Sequence, residues 1–300
     1  MKIKAISAKL PEYLQELKNE EKAENTIKAY ERDLKGFFKA MDGEAELQRS
    51  DVATYKQELK DAGAAASTIN RKIVSINKYL KWAGADDAAG TKQIKTQGRA
   101  TLENVISKSE YERLLRAANN PQGQAKAAGL KQDKQLVMVM QTIAGTGIRF
   151  NELQYFTVEN IKAAKRSGHI TVENKGKQRS VPVPRTLSKE LLNYCSDQGI
   201  ESSYIFGTSK GNPISNAQLT KRLKRIAGYA RVSKERAHWH NFRHLFAKEY
   251  MEKVGRIDAL QDILGHSSIN TTTIYTKLSA KERAEQVETL DIVRPLSSLK

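Results

Sequence analysis

Cysteine is nearly missing from this sequence: Cys195 is the only one in 300 residues. One thiol forms no internal disulfide and cannot build a cysteine-based metal cluster, which fits a reducing cytoplasm. Long apolar runs are missing too. The most apolar stretch, LVMVMQTIAG at 136–145, is about half of the roughly 20 residues needed to cross a bilayer and reads as a buried core helix. The opening MKIKAISAKLPEYL has lysines but no continuous apolar segment, so no secretory signal is expected. No G-x-x-x-x-G-K-[ST] loop occurs, which argues against nucleotide hydrolysis, and no carboxylate cluster suggests a Mg²⁺ site. Nor is there a disordered bias: hydrophobic residues make up 39%, and mean hydropathy is −0.60.

Positive charge is in excess. Fifty-one Lys and Arg against 34 Asp and Glu leave a net charge of +17 and a pI near 9.7. An imbalance of this size draws a protein to a polyanion, and nucleic acid is the leading partner. Charge alone does not separate that reading from a merely basic or ribosome-associated protein.

The length allows about two domains. Apolar residues recur at helical spacing in 25–41 (Ile27, Tyr30, Leu34, Phe37, Phe38, Met41) and in 67–84 (Ile69, Ile73, Ile76, Leu80), and 51–63 is a third helix of the same kind. Ser67 is the expected N-cap of the second helix and Gly84 its stop. Its opposite face carries Arg71, Lys72, Lys78 and Lys81, a solvated face or a DNA-facing one. Residues 84–101 lack an apolar period and are rich in Gly, Ala and Thr. The expected division is a helical DNA-binding domain at 1–88, a linker at 89–102, and a larger domain with a C-terminal tail at 103–300.

The second domain reads as mainly helical with a small antiparallel sheet. Ser107 and Glu110 stand in capping-box spacing before a helix at 107–118. Residues 169–184 place ITV and VPV around a Lys-Gly-Lys turn, a hairpin signal, and YIFG at 204–207 is a candidate third strand. Along 216–230, Leu219, Leu223, Ile226 and Ala230 form an apolar side, while Lys221, Arg222, Lys224 and Arg225 are expected to face outward, where a phosphate backbone can lie.

Four stretches carry candidate chemistry. In GTGIRFNEL (145–153), the glycines break the apolar helix and Arg149 and Glu152 follow. Lys175 sits in the hairpin turn. In HNFRH (240–244), His240 and Arg243 share a helix face. LGHSSINTTTIYT (264–276) holds His266 and Tyr275. Singly, each has an ordinary explanation: a surface Arg149–Glu152 pair, turn chemistry, a chance H-x-x-R, a helix end and a core tyrosine.

In this order, A-G-T-G-I-R-F-N-E-L, K-G-K-x-R-x-V-P, H-N-F-R-H-x-F-A and L-G-H-S-S-I-N-T-T-x-x-Y resemble the boxes of the tyrosine recombinase (phage integrase) family. T-I-K-A-Y-E-R-D-L resembles the helices of that family's core-binding, SAM-like domain, so the resemblance spans nearly the whole chain. The compact two-domain layout is similar to Xer-like or integron-like members, with no added arm-binding domain.

The resemblance implies that Arg149 and Arg243 clamp the nonbridging oxygens of a scissile DNA phosphate. Lys175, with Lys177 as competitor, protonates the leaving 5′ oxygen; His240 assists proton transfer; His266 hydrogen-bonds the phosphate; and Tyr275 is the nucleophile. Glu152 supports the site, and His244 is structural. It further implies strand exchange through a 3′-phosphotyrosyl bond and a Holliday junction, without metal, ATP or other cofactor. A homotetramer on double-stranded DNA, joined through the tail beyond Tyr275, is expected, with accessory proteins where the system uses them and no membrane partner. Integration or excision of a mobile element is the leading task. Xer-type dimer resolution, a type IB topoisomerase and a non-catalytic DNA-binding relative are the rivals.

Overall fold

The computed structural model describes residues 1–95, 105–174, 176–201, 203–208 and 211–265. The chain divides into two compact units, Met1–Arg99 and Ala100–Lys300. Among the described residues no helix is long and apolar enough to cross a membrane.

The first unit is built from α1 (Ile3–Ala8), α2 (Leu10–Asn19), α3 (Glu24–Lys39), α4 (Arg49–Asp61) and α5 (Ala66–Trp82). The apolar stripes do what their periodicity demands: Ile27, Leu34 and Phe37 of α3 are buried, and so are Ile69, Ile73, Ile76 and Leu80 of α5. Ser67 is not the cap of α5. The backbone turns into the helix at Ala65, two residues earlier, with no side-chain acceptor, so Ser67 lies within the first turn. Two asparagines two turns apart on α5 hold part of the stretch read as linker. Asn70 Nδ2 donates to the Ile94 carbonyl (2.9 Å) and its Oδ1 accepts from the Ile94 N–H (2.7 Å). Asn77 does the same with Thr91 O (2.9 Å) and Gly90 N–H (3.0 Å). Ala88 and Ala89 are buried in the same core, so the chain up to Ile94 belongs to this unit.

The second unit begins with α6 (Lys108–Asn119), where Ser107 and Glu110 form the expected reciprocal capping box, and continues through α7 (Gly123–Ala127). The central helix is α8 (Lys134–Thr146), buried on most sides through Leu136, Val139, Met140 and Ile143. It runs through Gly145 and stops at Gly147, so only the second glycine of GTG breaks it. A 3₁₀ turn (Phe150–Tyr155) and α9 (Val158–Ser167) lead into β1 (His169–Asn174) and β2 (Lys177–Pro182). These pair antiparallel with Ile170 opposite Val181, Val172 opposite Arg179 and Asn174 opposite Lys177. Then come α10 (Arg185–Gln198), α11 (Asn216–Tyr229), α12 (Trp239–Lys253) and α13 (Ile257–Leu264).

The third strand is not formed. Tyr204 and Gly207 make only isolated bridges, to Thr157 and Pro213, and the sheet among the described residues has two strands. Ile205 and Phe206 are apolar because they plug the core, at 0% and 2% exposure, rather than because they alternate along a sheet.

Candidate active site

Arg149 enters the site because α8 must end abruptly. Gly147 caps it with φ 69°, a left-handed conformation, and a Cβ there would collide with the Phe246 ring of α12. The chain then turns so that Arg149 opens the 3₁₀ turn, with its backbone N–H donating to Glu152 Oε2 at 2.7 Å. Arg243 comes from α12, which packs directly on α8. The residue is 1% exposed, an expensive place for a charge unless its donors are used. Nη1 donates to Gly147 O and Nη2 to Leu264 O, both at 2.7 Å. Each acceptor lies at a helix C-terminus, where orphan carbonyls and the negative end of the macrodipole favour a cation.

The end of α13 gathers three arginines. Arg179 Nε donates to Ile263 O (2.9 Å), Arg243 Nη2 to Leu264 O (2.7 Å) and Arg149 Nη2 to Gly265 O (3.1 Å). Three consecutive carbonyls thus anchor guanidiniums from β2, α12 and the 3₁₀ turn. Gly265 has φ 62°, and a Cβ on it would lie 2.7 Å from Arg179 Cδ, so this position requires glycine on both counts.

Arg149, His240 and Arg243 share a cleft of about 460 Å³. Its wall is completed by His238, Asn216 and Thr220, from the N-terminal turns and cap of α11 and α12, and among the described residues no Asp or Glu lines it. His238, His240 and Asn216 are exposed at the rim, Arg149 is partly open, with 33% of its side chain accessible, and Arg243 lies beneath. Trp239 fixes the start of α12, donating from Nε1 to Thr220 Oγ1 (2.9 Å) and packing on Phe150 and Phe242. Two guanidiniums and two helix N-termini, with no carboxylate among the described residues of the wall, are an arrangement suited to a tetrahedral oxyanion.

His240 sits one turn before Arg243, with its ring edge-on to His244 at 4.3 Å between centroids. Desolvation at the cleft wall, followed by the charges of Arg243, His238 and Arg149, holds its pKa below the ordinary histidine value. It is therefore neutral near pH 7 and able to accept a proton. His238 is shifted the same way, by desolvation and then Lys224.

Glu152 is 2% exposed. Burial alone raises a carboxyl pKa, but here hydrogen bonds from Arg179 and from the Arg149 backbone, with both positive charges, outweigh it and hold the group below the ordinary range. Arg179 takes both oxygens, Nη1 to Oε1 and Nη2 to Oε2, each at 2.7 Å. Arg149 Nη1 reaches Oε1 only at 3.3 Å. The sequence reading left out Arg179, although it carried a signal. Arg179 shares strand parity with Val181 and Val183, both buried, so it points a charge inward and demands a buried counter-charge.

Other expected site residues divide. Lys175, His266 and Tyr275 lie outside the described residues. On α11, Lys221, Lys224 and Arg225 are exposed, whereas Arg222 is only partly exposed and its guanidinium is already paired. Its Nε donates to Asp133 Oδ2 (2.8 Å) and its Nη1 to Gln135 Oε1 (2.7 Å), because Asp133, the N-cap of α8, needs a counter-charge there. On α5, Arg71 is likewise committed to a carboxylate, the buried Asp33 of α3. Lys72 lies near the Tyr55 hydroxyl and ring, while Lys78 is exposed.

Residues 104–282, well over half of the chain, match the phage integrase family, and residues 10–86 match the phage integrase N-terminal SAM-like domain. The tyrosine recombinase XerA of Pyrococcus furiosus is 27% identical, covering 96% of this chain and 95% of its own. XerC of Neisseria meningitidis is 29% identical over 93% of each chain. The crystal structure of a lambda integrase tetramer bound to a Holliday junction shares the fold at TM-score 0.71 and 18% identity, covering 89% of this chain and 76% of that one. With both domains in place, the chain belongs to the phage integrase family and is a tyrosine-type site-specific DNA recombinase.

Proposed function

We propose that the protein cuts and rejoins double-stranded DNA through a 3′-phosphotyrosyl intermediate with Tyr275 as nucleophile. The observation that carries this reading is the cleft in which Arg149, His240 and Arg243 meet, with no Asp or Glu among the described residues of its wall. The Tyr275 hydroxyl attacks the phosphorus as its proton passes to the neutral His240. The bond to O5′ breaks, and Lys175 supplies the proton that the leaving oxygen needs. Arg149 and Arg243 hold the two nonbridging oxygens, whose charge grows in the transition state, and His266 adds a hydrogen bond. Two permanent cations do the electrostatic task a metal performs elsewhere, so no cofactor enters. Tyr275 lies ten residues beyond Gly265, and ten extended residues span at most about 33–36 Å, so tether length does not restrict its reach.

The phosphotyrosyl bond conserves the energy of the cut backbone. A 5′ hydroxyl from a second duplex attacks it, which makes a Holliday junction and returns the tyrosine. Four copies on two sites, linked through residues 276–300, complete the exchange; lambda integrase, of the same fold, is known as a tetramer on such a junction. The task proposed is integration or excision of a mobile element, carried out in the cytoplasm on the nucleoid, with accessory proteins where the site requires them. Lys221, Lys224, Arg225, Lys72 and Lys78 are the proposed backbone-contacting cations.

The test is a nicked suicide duplex carrying the repeats that flank the gene. Wild type becomes covalently attached, whereas Tyr275→Phe binds the same DNA and forms no adduct. An adduct in the Tyr275→Phe protein overturns the assignment.

A further inference from the structure

The reaction proposed above needs the charge of Arg149 to be available to a phosphate, and the present inference rests on that reading. Arg149 nevertheless has a carboxylate on its own turn: Glu152 Oε1 is 3.3 Å from Nη1, and Oε2 accepts the Arg149 backbone N–H. A buried carboxylate with one guanidinium in reach pairs with it closely, because little solvent screens the attraction. Arg179 changes that outcome. It meets both Glu152 oxygens at 2.7 Å in a fork-to-fork pair, while Arg149 stays at the longer distance with a third of its side chain open to the cleft. Arg179 is itself held in place. Its side chain is 12% exposed, its Nε is bonded to Ile263 O, and the bare backbone of Gly265 packs against its stem. Two guanidiniums and one carboxylate leave one positive charge, and the geometry leaves it on Arg149.

We propose that Arg179 is a positioning residue for strand cleavage: by taking the Glu152 carboxylate, it leaves the Arg149 guanidinium free to hold the scissile phosphate. It touches no reacting atom.

The test compares Arg179→Met, Glu152→Gln and the double variant in single-turnover cleavage of the suicide duplex, beside their affinity for the same DNA. Arg179→Met leaves Glu152 to Arg149, so cleavage slows by about 30-fold or more, approaching the ~10²–10³-fold loss of an oxyanion donor, while DNA affinity stays within about threefold. Adding Glu152→Gln removes the misdirected charge and restores the rate to within about tenfold of wild type. A double variant as slow as Arg179→Met overturns the proposal, because the slowing then does not come from Glu152 holding Arg149. Should Arg179→Met fail to fold, the double variant, which buries no unpaired charge, decides alone: a rate within about tenfold of wild type supports the proposal, and a hundredfold loss overturns it. A second readout needs no turnover. Inorganic phosphate raises the melting temperature of wild type and the double variant more than that of Arg179→Met, and equal shifts overturn the proposal. If wild type forms no adduct, the recombinase chemistry fails while this phosphate comparison still decides the role of Arg179.

Discussion

Glu152→Gln is the sharpest perturbation of the site's framework. The amide keeps the shape but removes the charge and turns donors toward the donors of Arg179. The side chains of Glu152 and Arg179 are 3% and 12% exposed, so the guanidinium is left nearly buried without its partner. Breaking a buried pair in this way costs about 3–5 kcal/mol. Arg149 adds little, since its contact with Glu152 is long and a third open to water. Urea titration measures the loss. With a urea slope near ~3 kcal/mol/M for a unit of this size, the midpoint of the second unit falls by about 1–2 M. The two tryptophans make it readable: Trp82 lies in the first unit and Trp239 in the second, so a Trp82→Phe background reports the second unit alone. The pH dependence fixes the sign. The folded Glu152 pKa is depressed, so its stabilisation is present above the unfolded value of about 4.3 and is lost as pH falls through the folded value. The gap between wild type and variant therefore closes below about pH 4. A midpoint shift under about 0.3 M, or a gap that ignores acid, refutes the reasoning.

Gly147→Ala forces a left-handed alanine into the Phe246 ring and destabilises the second unit by about 2–4 kcal/mol, read by the same titration. Lys224→Ala lowers the slope of log affinity against log salt by about 0.9, whereas Arg222→Ala leaves the slope unchanged and destabilises the fold, since Asp133 already holds that guanidinium. Because His240 is held below the ordinary histidine pKa, the acid limb of kcat/KM for cleavage lies below about pH 6.5, and a limb above that value contradicts a neutral base.

Helical spacing predicted the helices well because burial of one stripe dominates their formation, as Ile69, Ile73, Ile76 and Leu80 show. The H-x-x-R spacing put His240 and Arg243 on one helix face, since local geometry sets where each side chain emerges; that Arg149 shares their cleft was implied only by the resemblance to the family's ordered boxes. Long-range pairing was the blind spot. Arg71 is solvent-exposed as its helix face implied, but its pairing with Asp33, like that of Arg222 with Asp133, was not legible because the partners lie 38 and 89 residues away in sequence. Arg179 was missed for the same reason, although its inward strand parity beside Val181 exposed it. Tyr204–Gly207 mimicked a strand because a short apolar plug and a buried strand look alike in composition.

The central claim is that a backbone phosphate is esterified by one phenol. Mass spectrometry of tryptic peptides after reaction with a suicide duplex tests it most directly. The account predicts a nucleotide adduct on the peptide spanning 257–277, localised to Tyr275. An adduct on any other residue, or cleaved DNA with none, contradicts it.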